Sequence, residues 1–437
     1  MNTQKLATQK LVLVGFMLFS MFFGAGNLIF PPYLGQSAAG ATPAAMAGFL
    51  ITAVVLPVLG VVVVARFGGL VPLGSKVEKH FGLLFSVLIY LTVGPGLAIP
   101  RAASLPFEMA VAPYISVDPT IWRVGYSLVF FLVALWLSLT PSKLVERIGK
   151  YTAPTLVFLL IFLFINYVIR GDMSVGTTQE AYSSMPFLKG FAEGYNTLDA
   201  IAGLNYGMVI VVTFETLGVT RVSDQVKYTI RAGILAGVII AGIYIMLSYM
   251  GMYSSGVYEL HENGAWTIRS IVYQLFGNTG AILVAAIFTL ACLNTCVGLI
   301  NSCSQFFSQQ FRLLSHRQWV FAIVICAFFV CNMGLNAILS ISVPILSAIY
   351  PAAIVLIMLA MTHKLWGNNR FIYPLTVLAV AAESVIYSLE SLGVPLGVFS
   401  SILARILPLY DMGYGWLGVA VVMVVVSVVA SMVDAKK

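Results

Sequence analysis

Charge is scarce in this chain. Asp, Glu, Lys and Arg supply 9% of 437 residues, where a soluble domain carries about 25%. So few charges cannot clothe a water-facing surface, which excludes a water-soluble globule. With 60% hydrophobic residues, disorder and collagen are excluded as well. Histidine is rarer still: the four, His80, His261, His316 and His363, all fall in connections between apolar runs, so no histidine proton relay is expected. The five cysteines, Cys292, Cys296, Cys303, Cys326 and Cys331, form no CxxC and lie in apolar stretches, so they read as small free thiols rather than a metal or redox site. His261-Glu262 lacks the second histidine of a zincin, and neither a GxSxG elbow nor a P-loop occurs. An enzyme, an ATPase and a bound cofactor therefore lack a basis.

What is present is apolar sequence in runs of about 20 residues, the length that spans a bilayer as helix. The short alternating strands of a β-barrel are missing. Twelve runs are recognised, at about 10–36, 43–65, 81–112, 122–140, 151–169, 191–217, 231–253, 280–311, 319–334, 338–361, 371–390 and 414–433. The expectation is an all-α polytopic membrane protein of one transporter domain, residues 1–437. The first run continues from Lys10 to Tyr33 without a small-residue cleavage pattern, so it is read as a span and not a signal peptide.

The net charge of +7 forms no basic patch, and no nucleic-acid partner is expected. Its distribution sets orientation instead. With the N-terminus inside, internal connections hold Lys5, Lys10, Arg66, Lys76, Lys79, Lys143, Arg147, Lys150, Arg221, Lys227, Arg231, Arg312, Arg317, Lys364, Arg370, Lys436 and Lys437, 17 of the 23 basic residues. Outside fall Arg123, Arg170, Lys189, Arg269 and Arg405, with Arg101 inside a run. The positive-inside rule then places both termini in the cytoplasm. The longest connections, 170–190, 254–279 and 391–413, are external; 254–279 reads equally as a lid helix or an interfacial loop.

Two runs are broken. The first reads Phe23-Gly24-Ala25-Gly26-Asn27 near its middle, then Pro31-Pro32. The sixth reads Gly194-Tyr195-Asn196-Thr197-Leu198-Asp199-Ala200, then Gly203, Asn205 and Gly207. Unwound backbone at membrane depth is tolerated where it lines a cavity. The broken runs are five apart in order, and five is odd, so the halves face opposite ways: a five-plus-five inverted repeat over about 10–170 and 191–362, with helices at 371–390 and 414–433 appended. A half-helix starting after Gly24 aims free N–H groups and its positive pole at an anion such as a carboxylate. Carbonyls near Ser20 and Phe23 are left for a cation.

Ionisable residues inside a membrane are costly and point to function. Asp199, within the second break, is a candidate to hold a substrate ammonium, contact a cation or carry a proton; a structural cap is the competing reading. Arg101 and Glu108, seven apart on one helical face, are expected to pair or to snorkel outward, with substrate contact the lesser alternative. Gly94-Pro95-Gly96 kinks the same run and is a candidate pocket wall. Glu215 and Glu383 read as interfacial or structural. Asn294 and Thr295 offer oxygens suited to sodium, or an ordinary interhelical bond. Gly233, Gly237 and Gly242 suggest close helix packing.

Phe23-Gly24-Ala25-Gly26-Asn27-Leu28-Ile29-Phe30-Pro31-Pro32, Gly94-Pro95-Gly96-Leu97-Ala98-Ile99-Pro100-Arg101 and Lys227-Tyr228-Thr229-Ile230-Arg231-Ala232-Gly233 resemble the bacterial branched-chain amino acid:cation symporter family, the BrnQ-type carriers, over essentially the whole chain. The resemblance implies uptake of leucine, isoleucine and valine across the bacterial cytoplasmic (inner) membrane, driven by sodium or, in some members, protons, on a LeuT-like fold and without an obligatory protein partner. It implies a substrate carboxylate at Gly24, Ala25, Gly26 and Asn27, and Thr197 facing cation or substrate. The implied sodium site is Ser20, Phe23, Ala291, Asn294 and Thr295. The breaks and buried charges themselves add Asp199, Ala200 and Gly94 as substrate-site candidates and Asp199, Arg101 and Glu108 as coupling candidates. Asn294 stands where a hydroxyl is usual, and Asp199 where such carriers often have serine. A same-fold carrier for another solute, an ion channel and an intramembrane enzyme are the alternatives, in that order.

Overall fold

The computed structural model describes residues 6–115, 118–140, 145–261, 263–367, 369–396 and 398–434. Lys5, Lys143, Glu262, Lys436 and Lys437, used in the sequence arguments, lie outside the described residues. Helix is the only extended regular structure among the described residues. Among the described residues nine helices are long and apolar enough to cross a membrane, ten when the bent pair Pro186–Thr197 and Asp199–Thr216 is taken as one. The helical run Ala25–Phe67 has 43 residues, about 65 Å at 1.5 Å per residue and twice the hydrocarbon thickness. It reverses at Ala39, whose φ is +43°. With that division, and the shorter apolar helices Thr8–Phe22 and His316–Cys331, each of the twelve apolar runs is helical.

The spans are numbered in chain order: span 1 (Thr8–Phe22 with Ala25–Ala38), span 2 (42–67), span 3 (79–110), span 4 (Thr120–Ser138), span 5 (145–170), span 6 (186–216), span 7 (Val222–Ser254), span 8 (Gly280–Gln310), span 9 (His316–Cys331), span 10 (Leu335–Met361), span 11 (Ile372–Ser391) and span 12 (Gly415–Asp434). Span 7 begins nine residues ahead of its apolar run, because its first turns carry Asp224, Gln225 and Lys227.

Spans 1 and 6 occupy the centre. Span 1 packs on spans 5, 7 and 8, and span 6 on span 2. Spans 10, 11 and 12 pack in series. Only 11% of the most apolar window of span 12 is buried, so its all-round valines, among them Val421, Val422, Val425 and Val429, face lipid. Gly233 and Gly237 of span 7 lie against Val58 of span 2, whereas Gly242 meets open space. Glu383 sits midway along span 11 and is buried; it faces Gly415 of span 12, which corrects the interfacial placement.

Connection 254–279 forms a helix, Gly264–Phe276, started by the Asn263 side chain accepting from Ala265 N at 3.1 Å. It lies on the second half of span 1. Thr267 Oγ1 donates to Gln36 Oε1 at 2.6 Å, and a Cβ on Gly264 would stand 2.2 Å from the Ile29 carbonyl oxygen. Of the two readings of this segment, a helix or an interfacial loop, the structure has the helix; it is called the lid helix below for its place.

Candidate functional site

The break in span 1 is made by Phe23 and Gly24, whose dihedrals leave the helical region. Space explains the glycines: a Cβ on Gly24 would stand 2.7 Å from Thr295 Oγ1, and one on Gly26 would stand 2.7 Å from Arg101 Nη2 and 3.0 Å from Thr197 Cα. The second half-helix is capped by its own Asn27, whose Oδ1 accepts from Gly24 N at 2.8 Å. In span 6, helix Pro186–Glu193 tightens to a 3-10 turn at Gly194–Thr197. Leu198 takes φ +70°, and helix Asp199–Thr216 leaves at 45°. A leucine held in the left-handed region is rare and marks a strained position.

The two breaks meet. Asn27 Nδ2 donates to Asp199 Oδ2 at 2.6 Å and also to the Tyr244 hydroxyl of span 7. Tyr244 Oη donates to the same Asp199 Oδ2 at 2.7 Å. Asp199 is 2% exposed. Thr197 Oγ1 donates to the Gly194 carbonyl at 2.9 Å and accepts from Asp199 N at 3.3 Å. Arg101, 3% exposed, reaches across from span 3: Nη1 donates to the Asn196 carbonyl at 2.8 Å and Nη2 to the Thr197 carbonyl at 3.2 Å. Its guanidinium lies 5.7 Å from the centre of the Phe30 ring.

These groups surround a central cavity of about 20 Å³, room for about one water. Its wall includes Gly24, Ala25, Gly26, Asn27, Arg101, Thr197, Asp199 and Thr295, with an apolar side of Phe22, Ala98, Ala102, Ala202 and Leu299. Larger cavities flank it. One of about 360 Å³ reaches Tyr195 and Asn196 from the side where span 6 begins. One of about 180 Å³, lined by Tyr90, Ser302 and Phe306, approaches from the side where span 6 ends. A third, about 520 Å³, lies beside the helix Gly264–Phe276 at Glu108 and Trp266. Tyr195 stacks on Tyr350 at 4.6 Å on the one side, and Tyr90 on Phe306 at 3.9 Å on the other.

A second cluster lies between spans 1, 5 and 8. Asn294 Nδ2 donates to Ser20 Oγ at 2.8 Å, Thr152 Oγ1 donates to Asn294 Oδ1 at 2.9 Å, and Thr295 Oγ1 approaches the Ser20 carbonyl at 3.4 Å. The neighbouring last-turn carbonyls are engaged elsewhere: Phe19 O by Phe23 N at 2.9 Å, and Met21 O by Tyr206 Oη at 2.8 Å. Ala291 is fully buried, one helical turn before Thr295. The Phe23 ring stacks on Phe19 and leans on Tyr244.

Three expected site residues lie elsewhere. Gly94, in the kinked turn Thr92–Gly96, faces the Cys303 thiol of span 8, where a Cβ would stand at 2.8 Å. Ala200 is turned one residue round the helix from Asp199, and its carbonyl meets Gly60 of span 2. Glu108 pairs with Arg123 at 3.5 Å, not with Arg101. Seven residues put the two about 10.5 Å apart along the axis, and Arg101 points inward to span 6. Tyr244, Tyr206 and Thr152 escaped sequence reasoning. Their signal was a hydroxyl within an apolar run, near its middle for the two tyrosines and at its start for Thr152.

The description "Branched-chain amino acid transport protein" belongs to the family whose model matches residues 7–434. Branched-chain amino acid permease BrnQ of Escherichia coli (strain K12) is 38% identical over 98% of this chain and 97% of its own. Branched-chain amino acid permease BraB of Bacillus subtilis (strain 168) is 36% identical over 94% and 93%. The Pseudomonas aeruginosa branched-chain amino acid transport system 2 carrier protein is 36% identical over 95% of each. Among solved structures, MhsT in complex with L-phenylalanine superposes with a TM-score of 0.53 at 19% identity, covering 85% of this chain and 98% of that one. At that identity the likeness speaks for fold, and the fold is LeuT-like. Matched by its family from residue 7 to residue 434, the chain belongs to the branched-chain amino acid transport proteins, a family of BrnQ-type carriers and not of enzymes.

Proposed function

We propose that the protein imports leucine, isoleucine and valine together with sodium across the bacterial inner membrane by alternating access, both termini lying in the cytoplasm. The observation that carries the reading is the meeting of two helix breaks around one small central cavity, with larger cavities approaching from either side. The substrate carboxylate lies at the start of the second half of span 1, where the positive pole of that half-helix meets the cavity. The branched side chain lies against Ala98, Ala102, Ala202 and Leu299. An apolar wall discriminates one methylene by only about 10- to 200-fold, so the three substrates share the site.

Sodium lies between spans 1 and 8. The Ser20 carbonyl, the Ser20, Thr152 and Thr295 hydroxyls and the Asn294 amide oxygen gather there, and hard neutral oxygens suit such a cation. A bundle of spans rocks against its scaffold about the breaks. A second reading, proton coupling through Asp199, is favoured by the place of that acid on the cavity wall. Leucine uptake into proteoliposomes separates the two. A sodium gradient alone is expected to drive accumulation. Accumulation under a proton gradient in sodium-free buffer, with no response to sodium, overturns the sodium reading.

A further inference from the structure

Arg101 and Asp199 line the same cavity and are both buried, yet among the described residues no ion pair joins them. Each is met by neutral groups. Arg101 donates to the carbonyls of Asn196 and Thr197, and its Nε is buried without a hydrogen-bond partner. Asp199 accepts from the Asn27 amide and the Tyr244 hydroxyl. A buried charge calls for a counter-charge, and in a membrane interior the demand is stronger. An unsatisfied buried N–H adds to it. The guanidinium stands directly over Gly26, so it shares one spot with the positive pole of the half-helix that starts at Ala25. The Asp199 carboxyl lies across the cavity. The walls thus present one basic and one acidic side chain to whatever enters.

We propose that this pair reads the zwitterion: Arg101 holds the α-carboxylate of the substrate through Nε–H and a terminal N–H, and Asp199 holds its α-ammonium. The carrier then selects α-amino acids by two side-chain charges, and the apolar wall selects only among side chains. To make the contact, Arg101 loosens its hold on the span 6 carbonyls as the cavity widens for the substrate, and the break in span 6 is freed to move. This inference rests on the reading that the central cavity binds an amino acid.

The test is displacement of labelled L-leucine from the purified full-length protein by two analogues. Leucinamide lacks the carboxylate; 4-methylpentanoate lacks the ammonium. In the wild type both are expected to bind about 100-fold or more weakly than leucine. Arg101→Gln is expected to collapse the leucine-to-leucinamide ratio about tenfold or more while keeping the leucine-to-4-methylpentanoate ratio, and Asp199→Asn to do the reverse. Unchanged ratios in both variants, or either analogue matching leucine in the wild type, overturn the proposal. Should a variant fail to fold, a cryo-EM map of the wild type with leucine decides. Carboxylate within hydrogen-bond distance of Arg101 supports the proposal. Carboxylate on the Ala25 and Gly26 amides, with Arg101 still on the carbonyls of span 6, overturns it. Leucine binding to the wild type tests the carrier reading separately, and the ratios are read with whichever amino acid the wild type holds.

Discussion

Thr295 touches both halves of the site: it lines the central cavity and approaches the Ser20 carbonyl at 3.4 Å. If its hydroxyl is a sodium ligand, Thr295→Ala removes one oxygen and raises the sodium concentration for half-maximal uptake by about tenfold, equivalent to about 1.4 kcal/mol. Thr295→Ser keeps the hydroxyl and is expected to restore the wild-type value. Sodium dependence unchanged by the alanine, measured as initial leucine uptake against sodium concentration, removes span 8 from the cation site. At this scale the sequence was partly legible. Asp199, Asn27 and Gly26 stood out because acids, amides and glycines are anomalous in an apolar run. Tyr244 did not, because tyrosine is half apolar and raises no alarm until its hydroxyl is seen donating to Asp199. Glu108 misled because spacing on a helix tells which face two residues share and not whether their side chains reach.

Among the elements, the lid helix Gly264–Phe276 was the one the sequence left undecided. Its apolar residues, Trp266, Ile268 and Ile271, suit an interface as well as a fold, and only the partner surface decides. That surface is the second half of span 1, met so closely that Ile29 O and Tyr33 N would lie 2.2 Å and 2.5 Å from a Cβ on Gly264. Gly264→Ala must therefore lift the lid from the half-helix whose start borders the cavity. The expected result is a several-fold slower leucine uptake, with leucine affinity little changed and normal amounts of protein in the membrane, because lids commonly govern turnover. Uptake at the wild-type rate takes the lid out of the cycle. The broken spans were legible for the opposite reason. Gly24, Gly26 and Gly194 are demanded by backbone and side-chain approach, so local composition and tertiary contact agree.

For the whole molecule, the two proposed ligands share one movable part. Span 1 brings Ser20 to the oxygen cluster and Gly24–Asn27 to the cavity, with only Met21, Phe22 and Phe23 between them. Its neighbours differ at the two ends: Asn294 and Thr152 hold the one, Asp199 and Tyr244 the other. Charge scarcity had pointed to a membrane protein. It was silent on this sharing, which depends on contacts 172 and 274 residues apart in sequence. If sodium orders the first half of span 1, it prepares the start of the second half for the substrate. A saturating sodium concentration is then expected to lower the leucine dissociation constant by about 5- to 150-fold. Linkage requires leucine to tighten sodium by the same factor, so calorimetric titration of the purified protein in either order measures one quantity. A factor of one in both orders would place sodium outside the transport cycle, whatever the oxygen cluster resembles. A factor well above one that survives in Arg101→Gln would show that the coupling runs along span 1 and does not pass through the guanidinium.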